Sequence, residues 1–309
     1  MLYKEISFVI LLGGALLLGL TFASPAEAKP CGGGTTCACG DDVTASRTLT
    51  SADPIVANKC SGRGLTIIND GVVLNLGGNK LAGSGVEVGV LIQANNVTVE
   101  NGGVDRFQTG VGSNATTGST VDRIRLDSNT GDGILVQGND NDFLAILAKR
   151  NGNNGVRVVG NDNRLEGHND EYNGFDGIRV EGDNNELIAN FASENAKKGS
   201  GNGITVIGDG NHLERNRMTK LNIDGIVVTG SENTLVGNQV TKQRSDGYIV
   251  NGTDNVLTNN RATDNQGVGF LVTGSGNPAA STGNTVRNNR GRPQCSIYGE
   301  TDPPTCITR

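Results

Sequence analysis

Five side chains with acid–base or cationic chemistry fall close together in the sequence. They are Arg157, His168, Asp170, Tyr172 and Arg179. A histidine, tyrosine or carboxylic acid can transfer a proton, and an arginine can neutralise a carboxylate. Together these groups could abstract a proton beside a carboxylate, which is the chemistry of β-elimination. An enzyme would need all five to converge on one cleft, whereas scatter over several faces would favour binding alone.

The elements that must position these side chains follow from an internal repeat. A glycine, in most copies within Asp/Asn-Gly-Ile/Val, recurs at steps of 22 residues with one step of 26. The repeated glycines are Gly133, Gly155, Gly177, Gly203, Gly225, Gly247 and Gly269. A second glycine follows each of them by five residues, and an asparagine comes three residues later. A fixed period of this length indicates a repeat architecture.

Within each copy, apolar residues alternate with polar ones, which is the pattern of β-strands. Glycine recurs too often for a helix, and glycine, asparagine and aspartate permit bends between short strands. The sequence therefore predicts an all-β fold, a single-stranded parallel β-helix (solenoid) with three short strands per coil of about 22 residues. The inward column is expected to contain Ile134, Val156, Ile178, Ile204, Ile226, Tyr248 and Phe270.

The same repeat offers a plainer explanation of the five candidates. His168 occupies a column that later contains Asn190, Asn216, Asn238 and Asn260, so it could replace an amide in an asparagine ladder. Asp170 falls in an inward column, where a carboxylate is costly unless it is paired. The two arginines could be solvated and paired with Glu181 and Glu166.

A second column suggests a metal site. Asp140 and Asp162 follow each other in a turn column, and stacked carboxylates can bind calcium. The alternative is ordinary turn chemistry, because the column also contains asparagine and glycine. The column of Asp132, Asp176, Asp224 and Asp246 has the same explanation.

The chain divides into four predicted segments. Residues 1–28 have the apolar run and the small-residue site, Ala26 to Ala28, of a signal peptide, with an uncleaved anchor as the alternative. We expect a disulfide-bonded cap at 29–63, the β-helix at 64–290 and a C-terminal disulfide cap at 291–309. The protein is thus expected to be exported, periplasmic or extracellular, and free of the membrane once cleaved.

Six cysteines lie beyond the predicted signal peptide, and an even count in an exported chain indicates disulfides. Cys295 and Cys306 form the natural C-terminal pair. Cys31, Cys37, Cys39 and Cys60 allow three pairings. Zinc is disfavoured at Cys37 and Cys39 because no histidine is near in the sequence.

The charge of the chain bounds its partners. Its formal net charge is −6, and this argues against nucleic acid, which usually selects a basic face. An acidic polysaccharide would need a local basic patch. The chain has no tryptophan and few tyrosines to stack on sugar rings.

The repeated phrase and the stretch "CGDDVTASRTLT" to "GVVLNLGGNKLAG" at 39–83 resemble exported bacterial right-handed parallel β-helix proteins of the pectin-lyase-like fold group. The resemblance implies right-handed coils, which parallel crossovers also prefer. That group includes lyases, hydrolases, uronate epimerases, copper-delivery proteins and adhesins. The epimerase motif "DPHD" is absent, since the nearest match is "DPIV" at 53–56.

The resemblance and the candidate residues together predict an exported protein that binds or processes an acidic polysaccharide, with lyase-like or epimerase-like activity. The alternative is a non-catalytic envelope scaffold or adhesive protein. A periplasmic metal-handling protein is less favoured, because few soft or imidazole ligands are available.

Overall fold

The repeat winds the chain into a solenoid. The computed structural model describes residues 28–277, 282–291, 294–297 and 307–308, and it forms about eleven turns of about 22 residues. Strands of successive turns pair in parallel, and each repeated turn contributes three short strands. We call the three resulting strand stacks faces A, B and C, in chain order. The predicted parallel β-helix is confirmed.

Face A is a sheet of thirteen strands. They are Pro30–Cys31, Asp42–Val43, Leu65–Ile67, Val88–Ile92, Thr109–Thr117, Ile134–Asn139, Val156–Val159, Ile178–Glu181, Ile204–Ile207, Ile226–Thr229, Tyr248–Asn251, Phe270–Thr273 and Cys295–Ile297. Each strand is hydrogen-bonded to its equivalent in the next turn, without a register shift from Ile134 to Thr273.

Faces B and C follow within the same turn and meet at a corner. Thr98–Asp105 and Thr120–Asp127 run through both faces. The other face B strands are Arg47–Thr48, Val73–Asn75, Asp142–Leu144, Arg164–Glu166, Glu186–Ile188, His212–Glu214, Thr234–Val236 and Val256–Thr258. The other face C strands are Lys59–Cys60, Lys80–Gly83, Leu147–Lys149, Asn169–Glu171, Phe191–Ser193, Arg217–Thr219, Gln239–Thr241, Arg261–Thr263, Thr285–Arg287 and Ile307–Thr308. One short helix, Pro54–Ala57, is present in the described residues.

The core is a set of apolar columns that run along the axis. The seven residues predicted to point inward from face A are all at most 1% exposed. Tyr248 and Phe270, in successive coils, stack with ring centroids 4.5 Å apart. Burial of apolar surface is the main favourable term in the stability of the fold. No coil encloses a core alone, so this burial depends on contact between neighbouring coils.

Buried asparagines form three ladders between the coils. In the ladder that begins at Asn141, the backbone N–H and the side-chain amide both donate to the Oδ1 of Asn163 in the next coil. This pattern satisfies amide groups that would otherwise be buried without partners. Two ladders contain asparagine columns noted in the sequence. The third, from Asn129 through Asn151 and Asn173 to Asn195, was not anticipated.

Two disulfides join residues of the predicted N-terminal cap, Cys31 to Cys37 and Cys39 to Cys60. This selects one of the three pairings that the sequence left open. Cys306, the predicted partner of Cys295, lies outside the described residues, as do residues 1–27 of the predicted signal peptide. Within the described ranges, no helix has the length and apolarity needed to cross a membrane.

Candidate functional site

The structure separates the five candidate residues into three environments. The side chains of His168 and Asp170 are 0% exposed and lie inside the coil. Tyr172 lies outside, at the corner after face C, and Arg157 and Arg179 lie on the outer surface of face A. The two arginines meet, but the five residues do not converge on one cleft.

His168 takes the place of an asparagine in a ladder. Its backbone N–H donates to Asn190 Oδ1, and its Nε2 lies 2.9 Å from the carbonyl oxygen of Phe143. The side-chain amide of Asn190 makes the equivalent bond, to the carbonyl of Leu165. Because a carbonyl only accepts, Nε2 carries the proton. Burial lowers the pKa of His168 to about 4, so the ring is neutral at neutral pH.

Asp170 is a carboxyl group in the apolar core. Both of its oxygens lack a hydrogen-bond partner among the described residues, and Oδ2 is 4.0 Å from Nδ1 of His168. Burial raises the pKa of Asp170 well above its ordinary value, because a charge is strongly disfavoured there. Neither buried side chain has surface with which to contact a ligand outside the coil.

Tyr172 is held by a neighbouring turn. Its hydroxyl donates to Oε1 of Glu194 at 3.2 Å, and this bond raises the tyrosine pKa. The ammonium of Lys197 lies 5.0 Å from the centre of the ring. The outer surface of the ring is therefore partly covered by a cation.

Arg157 and Arg179 are stacked in successive face A strands and share a carboxylate. Arg157 Nη2 is 3.0 Å and Arg179 Nε is 2.7 Å from Oε1 of Glu181, and Arg179 Nη1 is 3.6 Å from Asp176 Oδ2. The side chains of Arg157 and Arg179 are 37% and 31% exposed. The Nε of Arg157 is buried and has no hydrogen-bond partner within the described part of the chain. Arg157 thus retains a donor that the fold does not use.

These arginines line a pocket of about 490 Å³, which we call the face A pocket. Four polar side chains from the column just before the face A strands also line the pocket: Asp132, Asn154, Asp176 and Asn202. Ser200 and Gly201 form one wall. They belong to the four-residue insertion between Gly177 and Gly203, so the irregular step of the repeat supplies part of the pocket lining.

The aspartates of the pocket serve the fold and still face the cavity. Asp132 Oδ1 accepts bonds from the backbone and side chain of Asn154, and Asp176 Oδ1 accepts from the backbone N–H of Asn202. Burial raises the pKa of both carboxyl groups. Turn chemistry, as interpreted from the sequence, explains the Oδ1 contacts, but the sequence did not reveal a cavity beside these residues.

The predicted calcium column has a backbone explanation. Asp140 and Asp162 adopt left-handed conformations, with φ of 54° and 56°, which aspartate, asparagine and glycine tolerate best. In the described part of the chain, no group of three or more His, Cys, Asp or Glu side chains is arranged to hold a metal. The calcium hypothesis therefore remains a prediction.

Comparison with known proteins agrees with this architecture. A family model described as "Right handed beta helix region" matches residues 176–301. No curated protein matches the sequence.

Three solved structures illustrate the likeness. The A-module of a mannuronan C-5 epimerase from Azotobacter vinelandii aligns with a TM-score of 0.51 and 17% identity, over 75% of this chain and 77% of the module. The catalytic domain of a GH87 α-1,3-glucanase bound to nigerose aligns with a TM-score of 0.56 and 11% identity, over 87% of this chain and 62% of that domain. The Agl-KA catalytic domain aligns with a TM-score of 0.51 and 15% identity, over 84% of this chain and 60% of that domain. This chain thus spans less than two thirds of the last two domains.

At such low identities the likeness shows the fold alone. The chain is a right-handed parallel β-helix, and its predicted resemblance to the pectin-lyase-like group is confirmed at the level of the fold. Function must be argued from the site.

Proposed function

We propose that this protein is exported and binds an acidic polysaccharide in the face A pocket. The observation that carries the proposal is the pair of stacked arginines in a cavity walled by the only irregular step among the seven aligned glycines. Two disulfides are consistent with export.

The pocket has the donors and acceptors that a uronate sugar requires. The exposed edges of both guanidinium groups suit a carboxylate, which arginine binds with charge-assisted hydrogen bonds. Asp132, Asn154 and Asn202 can exchange hydrogen bonds with hydroxyl groups. A sugar carboxylate would compete with Glu181 for the two cations.

The compared structures support a carbohydrate partner at the level of the fold. Two of them are, by description, an epimerase of mannuronan and a glucanase, so both act on polysaccharides. Their low identity leaves the substrate of this chain to the pocket residues.

For turnover, the pocket offers groups that differ from the buried candidates. Asp132 and Asp176 have raised pKa values and face the cavity, so they are the groups placed to exchange a proton with a bound sugar. Arg157 and Arg179 would neutralise the carboxylate of the sugar, as predicted for them. In this scheme His168 and Asp170 contribute to the core and Tyr172 to the corner.

A non-catalytic scaffold is the second candidate. It is favoured by Glu181, which forms ion pairs with both arginines, and by the ladder bonds that hold Asp132 and Asp176 in place. Binding without turnover would distinguish it from an enzyme.

The test is a binding and activity screen of residues 29–309 on alginate, pectate, hyaluronan and chondroitin, with and without calcium. Affinity is measured by calorimetry with short oligosaccharides, and lyase action by the ultraviolet absorbance of unsaturated uronate. We expect Arg157→Gln with Arg179→Gln to weaken binding at least about tenfold, since hydrogen bonds to charged groups are among the stronger ones.

Arg164→Gln with Arg215→Gln is the matched control, because this variant also removes two ion-paired arginines, both outside the pocket. Arg164 lies on face B and pairs with Glu166, and Arg215 pairs with Glu214. Equal affinity of the pocket variant and this control, or no binding of any glycan by the wild type, would refute the proposal. Ultraviolet absorbance that appears in the wild type and is lost in the pocket variant would establish a lyase.

A further inference from the structure

A second cavity, of about 320 Å³, lies at the corner after face C, outside the face A pocket. Four basic side chains line it: Lys197, Lys220, Lys242 and Arg244. We call it the basic groove. All four residues are exposed, in a chain whose formal net charge is −6.

The cations come from successive coils. Thr219 and Thr241 pair in face C, so Lys220 and Lys242, which follow them directly, lie about 4.8 Å apart along the axis, the spacing of paired strands. Lys197 comes from the preceding coil, and Arg244 lies two residues beyond Lys242. The groove therefore presents two cations in register, Lys220 and Lys242, with Lys197 and Arg244 beside them. Glu194 and Asp264 occupy the same column in the coils before and after this pair.

These charges are largely uncompensated. In the described ranges, no carboxylate lies within ion-pair distance of Lys220, Lys242 or Arg244. Glu194 also lines the groove, 3.6 Å from Lys197, and it accepts the hydroxyl of Tyr172. Asp264, in the next coil, accepts a bond from Asn288.

Two cations of face C and of the corner after it are paired instead. Lys149 pairs with Glu171, and Arg150 pairs with Asp127. An unpaired row of like charges repels itself, and a polyanion would relieve this cost.

We propose that the basic groove binds a polysaccharide with one anionic group per sugar, with its chain parallel to the solenoid axis. A pyranose ring is about as long as the spacing between coils, so successive carboxylates or sulfates can meet successive cations. Among the residues lining the groove the one apolar side chain, Leu221, is 1% exposed, so the groove lacks the apolar surface that inserts into a membrane.

The insertion connects this groove with the face A pocket. Lys197 lines the groove, Ser200 and Gly201 line the pocket, and Lys198 between them covers the ring of Phe175 at 5.4 Å. One polymer bound on both sides of this loop would be held more tightly than a short oligosaccharide. The choice of a sugar polymer rests on the proposed function, whereas the charge of the ligand rests on the groove.

The test compares a groove variant, Lys220→Gln with Lys242→Gln and Arg244→Gln, with a control that loses the same charge elsewhere. The control carries Lys29→Gln, Lys59→Gln and Arg106→Gln, three exposed residues distant from the groove in sequence. Long alginate, dextran and anionic lipid vesicles are the probes, at low and at raised salt. Thermal melting verifies that both variants fold.

We expect the groove variant to bind long alginate about tenfold or more weakly than the control, with less loss of affinity on raising salt. Dextran should bind neither variant through the groove. Equal alginate affinity of the two variants, or groove-dependent binding of vesicles instead of alginate, would overturn the inference.

Binding in the face A pocket is measured separately, as the affinity of the Arg157→Gln and Arg179→Gln double variant for short alginate oligosaccharides. If the pocket variant loses affinity for short oligosaccharides and the groove variant loses affinity for long alginate, both sites are upheld. If only the pocket variant loses affinity, the present inference is overturned. If only the groove variant loses affinity, the pocket is overturned.

Discussion

His168 shows how a residue with catalytic chemistry can serve the fold. Its ring replaces an asparagine amide by making the same bond to a carbonyl of the preceding coil. The sequence raised both interpretations, and the hydrogen bonds match the ladder. His168 should therefore reveal itself through stability.

His168→Asn should retain the ladder and change the pH dependence of stability. The folded pKa is about 4 against an ordinary 6.5, so the unfolded chain binds a proton between these values and the folded chain does not. The stability that neutral His168 provides is present above pH 6.5 and is lost as the pH falls. On going from pH 7 to about pH 5, the variant should gain roughly 2 kcal/mol relative to the wild type.

Denaturant titrations at both pH values check this. Asp170, whose raised pKa makes stability fall as the pH rises, is present in both proteins and cancels in the comparison. Parallel pH profiles would show that His168 is not buried in its neutral form. The variant should also leave glycan binding unchanged.

At the scale of the element, the second glycine of each repeat allows the coils to approach. Gly208 has φ of +149°, and a Cβ there would lie 2.0 Å from the carbonyl oxygen of Gly182 in the preceding coil. The column is glycine because both the conformation and the contact forbid a side chain.

Gly208→Ala should therefore destabilise the fold by roughly 2–4 kcal/mol, since neither backbone can move without breaking ladder bonds. Gly199→Ala is the matched control. Gly199 also has positive φ, +90°, but nothing lies within 4 Å of an added Cβ. Thermal melts should show a large loss only at Gly208, and equal losses would mean that conformation, and not coil contact, selects glycine.

At the scale of the whole molecule, stability adds up along the axis and the ends need protection. Face A already includes Pro30–Cys31 and Asp42–Val43, so the disulfide-bonded segment continues the solenoid. The bridge from Cys39 to Cys60 spans about one coil and ties neighbouring turns together.

Replacing Cys39 and Cys60 by alanine should lower the free energy of unfolding by about 3 kcal/mol, because the unfolded chain regains the entropy of the closed loop. Denaturant melts of the double variant and the wild type measure this, with reduced wild type as the control. Reduction should move the wild type toward the variant. A variant as stable as the oxidised wild type would show that the first coil is held by packing alone.

The solenoid, its inward columns and two of its ladders follow from the sequence alone. The reason is that one period of the repeat brings equivalent residues into contact, so the spacing along the chain directly predicts neighbours in space. The columns of Ile226 and Asn233 needed no further information. The N-terminal disulfide pairing was left open because all four cysteines lie within the irregular first coils.

Which side chains share a surface depends on how the coils and the insertion pack. The insertion folds over the turn column beside face A, and this creates the pocket that joins Arg157 and Arg179 to Asp132 and Asp176. The 22-residue step aligns Lys220 with Lys242. Whether a carboxylate pairs with either lysine depends on the positions of the side chains around the groove, which the repeat does not give. His168 and Asp170 are separated from the arginines because they point into the coil at face C and the corner before it, whereas Arg157 and Arg179 occupy outward positions of face A.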